Sequence, residues 1–234
     1  MAVKLVVFDM AGTTVKDEQH VAGALQNALA ASGFNITLDD INLVMGYPKP
    51  EAIKRLLAQY ADQETSTDTE LINTIHKLFV DEMIEFYKTN MHIDEKPHAS
   101  QVFAILRDNG IKVAIDTGFS RPIADAIFDR LGWRQGEHFD VSVTSDEVAN
   151  GRPYPDMIFK AMSACDVNSS DEVAKVGDTA SDIQQGIAAG CKYVIGVNTG
   201  AYSNEDLQKE NCTHIIADLQ ELLDIFSIQN HVSL

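Results

Sequence analysis

The sequence is short of positive charge. Its 18 Lys and Arg face 35 Asp and Glu, a formal net charge of -17. Nucleic acid and anionic membrane both reward clustered Lys and Arg, so neither is expected as a partner. The same deficit means that an anionic substrate has to be drawn in locally, by a metal ion or by a few placed cations. Cysteine is scarce as well. Cys165, Cys191 and Cys212 are widely spaced, match no zinc pattern and leave an odd count, which argues against a disulfide framework and suits a reducing cytoplasm. They read as free thiols. No apolar run approaches the ~18 residues of a membrane span. Lys4 and Asp9 bracket an N-terminal apolar run too short for the core of a signal peptide, and no small-residue cleavage site follows. The one tryptophan, Trp133, follows Gly132 and reads as a packing anchor. His76, His92, His98 and His214 are scattered and show no ligand spacing.

What is present is ordinary in amount and particular in order. With 234 residues, 45% hydrophobic and 23% charged, the chain is long enough for one large domain, or for a core with a smaller insert. The stretch V-K-L-V-V-F-D-M-A-G-T-T, Val3 to Thr14, opens with a β-branched and aromatic run, the composition of a strand buried on both faces. That run stops at Asp9. Val21, Leu25, Ala28 and Leu29 then recur at helical spacing, and Gly33 closes the helix. Thr37 with Asp40, and Thr67 with Glu70, have capping-box spacing. G-Y-P-K-P at 46–50 is a break, followed by a helix from about Glu51 to Tyr60 and a polar loop through Thr65. Leu71, Ile72, Ile75, Leu78, Phe79, Met83 and Phe86 mark a long helix, with Phe79, Phe86 and Tyr87 as packing residues.

Residues 17–92 therefore read as nearly all helix. From His92 onward strands and helices alternate. The spacing predicts strands at 111–115, 139–144, 173–177, 192–197 and 214–217, with helices at 100–109, 121–131, 155–164, 180–189 and 219–226. Repeated strand–helix units imply an α/β fold built on a doubly wound, Rossmann-like parallel sheet. The expected division is a core of residues 1–16 and 93–234 with an inserted all-helical block at 17–92.

Three of the predicted strands end in polar groups: Asp9, Thr117 with Gly118, and Asp178. In a parallel sheet these ends share one edge, the edge where open α/β sheets bind ligands. V-G-D-T-A-S-D-I adds Asp182, one helical turn beyond Asp178. Three converging carboxylates repel one another, and a hard divalent cation such as Mg²⁺ resolves that repulsion with oxygen ligands. N-G-R-P-Y-P, Asn150 to Pro155, supplies a cation. Its Gly and Pro fix a loop from which Arg152 offers a fork suited to phosphate.

These motifs, in this order, resemble the haloacid dehalogenase superfamily over the whole chain: D-M-A-G-T-T at Asp9, the strand-end Thr117, Arg152 in the basic position, and G-D-T-A-S-D at Asp178 and Asp182. The resemblance implies that Asp9 is a nucleophile forming an aspartyl-phosphate. It also implies that Asp9, the Ala11 carbonyl, Asp178 and Asp182 serve Mg²⁺, with Asp182 acting through the metal's waters. Thr117, Gly118 and Arg152 would hold phosphoryl oxygens, and Met10 and Ala11 would lie against the substrate. The helical block would be a cap. Chemically this is phosphoryl transfer by positioning and charge neutralisation.

Most phosphatases of that superfamily carry a second Asp, a general acid and base, two residues after the nucleophile, where this chain has Ala11. Such a group contributes typically ~10²–10⁴-fold. The form D-x-A-G-T-T-V is similar to the phosphonoacetaldehyde hydrolase (phosphonatase) branch, which cleaves a carbon–phosphorus bond through a cap lysine that forms an imine. Met45, Gly46 and Lys49 match its Met-Gly-x-x-Lys element. Prolines on either side hold Lys49 extended just before a helix start, whose positive end, together with burial, favours the free amine. The alternative is that Lys49 binds a substrate anion as a plain cation. The chain departs from the branch at Ala52, Phe119 and Met10, where that branch has His, Tyr and Trp. The expectation is thus a cytoplasmic Mg²⁺-dependent hydrolase of a small phosphonate. Hydrolysis of a small phosphate monoester and a non-catalytic phosphate-binding regulator stand as alternatives, and monomer or homodimer is left open. A dehalogenase fits less well, because that chemistry has no use for Asp178 and Asp182.

Overall fold

The structure, a computed structural model, describes residues 2–228. Leu5–Phe8 form strand β1, four residues with no accessible surface, in the interior of a six-stranded sheet. Because successive side chains of a strand point to opposite faces, Val6 and Phe8 enter one hydrophobic cluster while Leu5 and Val7 enter another. Each such side chain, fully buried, stabilises the fold by roughly 1.5–3 kcal/mol.

The remaining strands are β2 (Lys112–Thr117), β3 (Val141–Thr144), β4 (Val173–Gly177), β5 (Tyr193–Val197) and β6 (His214–Ile216). They pair in parallel in the order β3-β2-β1-β4-β5-β6, the doubly wound α/β arrangement expected. Phe8 is level with Ile115 of β2 and Val176 of β4. The next residue of each strand is Asp9, Asp116 and Gly177, so the sheet's polar edge is set by register. This is also where the strand order reverses around β1, the crevice in which such sheets take ligands.

Five helices, α1 (His20–Ala31), α2 (Leu38–Asn42), α3 (Lys49–Tyr60), α4 (Gln63–Thr67) and α5 (Thr69–Thr89), follow β1 without an intervening strand. The connections of the sheet carry α6 (Ala99–Asp108), α7 (Arg121–Leu131), α8 (Asp156–Ala164), α9 (Ala180–Ala189), α10 (Asn204–Leu207) and α11 (Glu221–Ile225). Helix α8 packs Met157, Ile158, Ala161 and Met162 under Leu5 and Val7, while Phe103 of α6 meets Phe8 on the other face, ring centroids 5.0 Å apart. Trp133 is buried edge-on to Phe103 and donates to Glu95, a packing anchor as expected. The three cysteines are free, and burial pushes the Cys165 and Cys191 thiols up to about 11 and about 12, which keeps them protonated. Among the described residues no helix is long and apolar enough to cross a membrane.

Four local expectations change. The polar loop before the long helix contains α4, capped by Asp62, which accepts from the Thr65 N–H. Thr67 ends α4, its hydroxyl donating back to the Gln63 carbonyl, so the cap of α5 is Asp68, which accepts from the N–H groups of Glu70 and Leu71. Helix α3 begins at Lys49 rather than Glu51, with Pro48 as the non-helical residue before it and Pro50 in its first turn, where a missing N–H costs nothing. Lys49 is therefore the first helical residue, not an extended one. Helix α10, capped by Ser203, had no counterpart in the sequence reading.

The helical block meets the sheet edge through the turn that ends in Pro48. A side chain on Gly118 would press on the carbonyls of Gly46 and Tyr47, and one on Gly151 would strike Pro48. Gly46, at φ +81°, sits so close to Thr179 and Ser181 that a Cβ there would collide with both hydroxyls. Gly46→Ala is therefore expected to lift this turn from the sheet edge with little global unfolding. Hydrogen exchange of residues 44–50 and 117–120 should quicken by about tenfold, as for a locally opened contact, while exchange of β1 stays slow.

Candidate active site

Four aspartates are buried at the sheet edge. Asp9 follows β1, Asp116 lies in β2, Asp178 follows β4, and Asp182 sits in the first turn of α9. Arg152, from the loop before α8, is 2% exposed. Its Nη1 lies 2.7 Å from Asp9 Oδ1 and 3.0 Å from Asp182 Oδ1, and its Nη2 donates to Asp116 Oδ1 at 2.6 Å and to the Asp116 carbonyl at 2.9 Å. The fork expected to hold phosphoryl oxygens is thus also in contact with three buried carboxylates. Arg152 still lines the cavity described below.

Lys175 is the partner the sequence reading passed over. It lies in the middle of β4 with no exposed surface, 2.5 Å from Asp116 Oδ1 and 3.0 Å from Asp182 Oδ1. Burial disfavours the charge of Asp116, but Arg152 and Lys175 outweigh it and hold the carboxyl below its ordinary range. A lysine inside the apolar run V-A-K-V-G, and an aspartate just before Thr117, were the available signals.

Asp9 and Asp178 respond in the opposite direction. Burial, opposed by Arg152 and reinforced by Asp182, raises Asp9 to about 6. Burial, then the charges of Asp9 and Asp182, raises Asp178 to about 8, although the Ala201 N–H and the Thr13 hydroxyl donate to it at 2.6 and 3.0 Å. Asp9, Asp178 and Asp182 each place a carboxylate oxygen within 4.8 Å of the others. Asp182 Oδ1 is buried and aligned with no hydrogen-bond donor, despite its two cationic neighbours. No described residue donates to the Ala11 carbonyl, which belongs to the same cavity. An all-oxygen set with surplus negative charge fits a hard divalent cation.

The cavity above these groups, about 730 Å³ with its open mouth, brings the sheet edge and the helical block together. Asp9, Ala11, Thr117, Gly118, Arg152, Asp178 and Asp182 line it from below, and Met45, Gly46 and Lys49 from above. Met10 does not fit its expected place. Its side chain is buried in the core, and its carbonyl accepts from the N–H groups of Thr13, Thr14 and Val15 to close the turn after Asp9. Asp17, Gln19 and Asn42 also line the cavity and were not singled out from the sequence.

Lys49 is 3% exposed and makes no hydrogen bond or ion pair with any described residue. Its Nζ lies between the rings of Phe79 and Phe119, 5.6 and 5.7 Å from their centroids. Burial, assisted by Arg152 and partly offset by Asp9 and Asp17, lowers it to about 8. Roughly a tenth of its molecules then carry the free amine at pH 7, far more than for an ordinary lysine.

A strand-end aspartate, a basic loop and paired acidic groups at one edge of a doubly wound sheet coincide with a family signature. A profile of the haloacid dehalogenase-like hydrolases matches residues 3–190, and the chain belongs to that family. The phosphonoacetaldehyde hydrolase of Bacillus cereus (strain G9842) is 32% identical over 208 residues, 86% of this chain and 78% of that protein. A bifunctional phosphonoacetaldehyde hydrolase/aminoethylphosphonate transaminase of Clostridioides difficile (strain 630) is 29% identical over 201 residues, of which this chain spans only 30% of the length. The crystal structure of a phosphonoacetaldehyde hydrolase-like protein from Oleispira antarctica shares the fold, with a TM-score of 0.80 at 21% identity over 97% of this chain and 92% of that one.

Two outcomes follow from the charge balance. Asp9 and Asp178 bind more protons folded than unfolded between pH 3.8 and about 8, so their contribution to stability falls as pH rises through that window. In EDTA the Tm should therefore drop from pH 5 to pH 8. Added Mg²⁺ should recover it most at the alkaline end and release protons on binding, as read by calorimetry in buffers of different ionisation enthalpy. Lys175→Met leaves Asp116 and Asp182 dependent on Arg152 alone and should cost about 3 kcal/mol in denaturant unfolding.

Proposed function

We propose that this chain is a Mg²⁺-dependent phosphonate hydrolase of the cytoplasm, which cleaves the carbon–phosphorus bond of phosphonoacetaldehyde or a close relative. The observation that carries this reading is Lys49: buried, ion-paired with no described residue, lowered to about 8, and lining the same cavity as Asp9. An anion-binding lysine gains from remaining charged. A lysine held toward its neutral form is suited to attack a carbonyl.

In this reading Thr117, Gly118 and Arg152 hold the phosphoryl group over Asp9. Asp9, the Ala11 carbonyl, Asp178 and Asp182 would hold a divalent cation, which would supply positive charge between nucleophile and phosphoryl oxygens. The Lys49 amine condenses with the substrate aldehyde, forming a carbon–nitrogen double bond and releasing one water. Asp9 then attacks phosphorus, and the electrons of the broken carbon–phosphorus bond pass into the imine to give an enamine. Water hydrolyses the aspartyl-phosphate and, after protonation at carbon, the imine, which releases phosphate and acetaldehyde. Because the imine receives the electron pair, no acid is required at position 11, where Ala11 stands. Residues 17–92 act as a cap, which carries Lys49 to the sheet edge and excludes water.

A second reading, hydrolysis of a small phosphate monoester, is favoured by Ala52 and Phe119. Both are buried beside Lys49 or its helix and offer no titratable group to imine formation. One experiment separates the two. With phosphonoacetaldehyde and borohydride, mass spectrometry should find a reduced adduct on Lys49, and Lys49→Ala should lose the adduct and at least about 10²-fold of the turnover. Absence of an adduct, with phosphate release from monoesters retained in Lys49→Ala, would establish the second reading.

A further inference from the structure

The cavity holds one titratable group with no part in the chemistry above. Asp17 lies between β1 and α1. Its Oδ1 accepts from the N–H groups of His20 at 2.8 Å and Val21 at 3.3 Å, which caps the helix. Gln19, at φ 64°, makes the turn that allows this. The cap uses only one of the two carboxylate oxygens, since Oδ2 accepts from no described residue. Asp17 lines the cavity that Asp9 and Lys49 line, yet it makes no ion pair with Lys49. The two side chains thus line one cavity without an ion pair between them, and that cavity is open to a substrate. Meanwhile Ala11 and Ala52, the nearby positions where an acid or base would be sought, offer none.

We propose that Asp17 is the acid–base partner of Lys49, protonating the hydroxyl that leaves as the imine forms and taking a proton back when the imine is hydrolysed. This rests on the imine reading and deepens it. The neutral Lys49 amine adds to the aldehyde carbon, and its proton passes to the former carbonyl oxygen. Asp17, directly or through one water, gives its proton to that hydroxyl, the carbon–oxygen bond breaks, water departs, and the nitrogen lone pair closes the double bond. The product is an iminium beside the Asp17 carboxylate, an ion pair that stabilises the step. After the carbon–phosphorus bond has broken and the enamine carbon has taken a proton from solvent, water adds to the iminium and its proton returns to Asp17.

The charges around Asp17 are consistent with this traffic. Burial raises its pKa, although both capping N–H groups, His20 and Lys49 act to lower it. Lys96 and Tyr87 also feel its charge. The carboxyl therefore holds a proton more readily than an exposed cap would.

Asp17→Asn tests the assignment, because an amide oxygen still caps α1 but carries no proton to transfer. With phosphonoacetaldehyde and borohydride, the adduct on Lys49 should form about 10²-fold more slowly in the variant, while Mg²⁺-dependent beryllium fluoride binding at Asp9 is unchanged. Equal adduct rates in variant and wild type would overturn the role of Asp17 and leave the phosphonate reading intact. No adduct in the wild type would overturn both. Loss of beryllium fluoride binding in Asp17→Asn would also overturn the proposal, by making Asp17 a part of the site's framework.

Discussion

The burial of four carboxylates at one edge of a parallel sheet is the constraint on which the rest of the structure depends. Asp9, Asp116, Asp178 and Asp182 are each at most 5% exposed, and Arg152 and Lys175 are the cations packed among them. Four negative charges against two positive ones leave a surplus that a protein interior does not tolerate. The surplus is not spread evenly. Asp116, touched by both cations, is held below its ordinary pKa, whereas Asp9 and Asp178 are raised. The uncompensated charge therefore collects where the three metal-competent oxygens lie, and a bound divalent cation would close the balance.

Lys49 presents the complementary situation on the opposite wall. A buried ammonium that ion-pairs with no described residue is destabilised, and the faces of Phe79 and Phe119 return only part of what water would provide. Its place in the first turn of α3 adds to the same tendency. Sheet edge and helical block thus bring together a carboxylate that needs a cation and an amine inclined to shed its charge. The contacts of Gly46 and Gly118 make the approach possible, since side chains there would hold the two walls apart.

Much of this was legible in residue order. Strand β4 and helices α7 and α9 have the bounds that periodicity predicts, because strong apolar patterns are flanked there by clear stops. Errors fell where short polar segments allow two solutions. Thr67 and Asp68 both suit a helix cap, and only the presence of α4 before them gives the role to Asp68. Met10 occupied a suggestive position beside Asp9, but the turn closed by its own carbonyl sends its side chain into the core.

By itself the sequence determined the doubly wound α/β fold, the helical insertion after β1 and the strand-end positions of Asp9, Thr117 and Asp178, because hydrophobic period and strand-end chemistry are local properties. Tertiary structure decided how those groups are charged. Arg152 came to lie among three carboxylates, Lys175 between Asp116 and Asp182, and Lys49 and Asp17 came to line one cavity. Burial and through-space charge settle such matters, and both depend on residues far apart in the chain, so no local pattern of residues could have carried them.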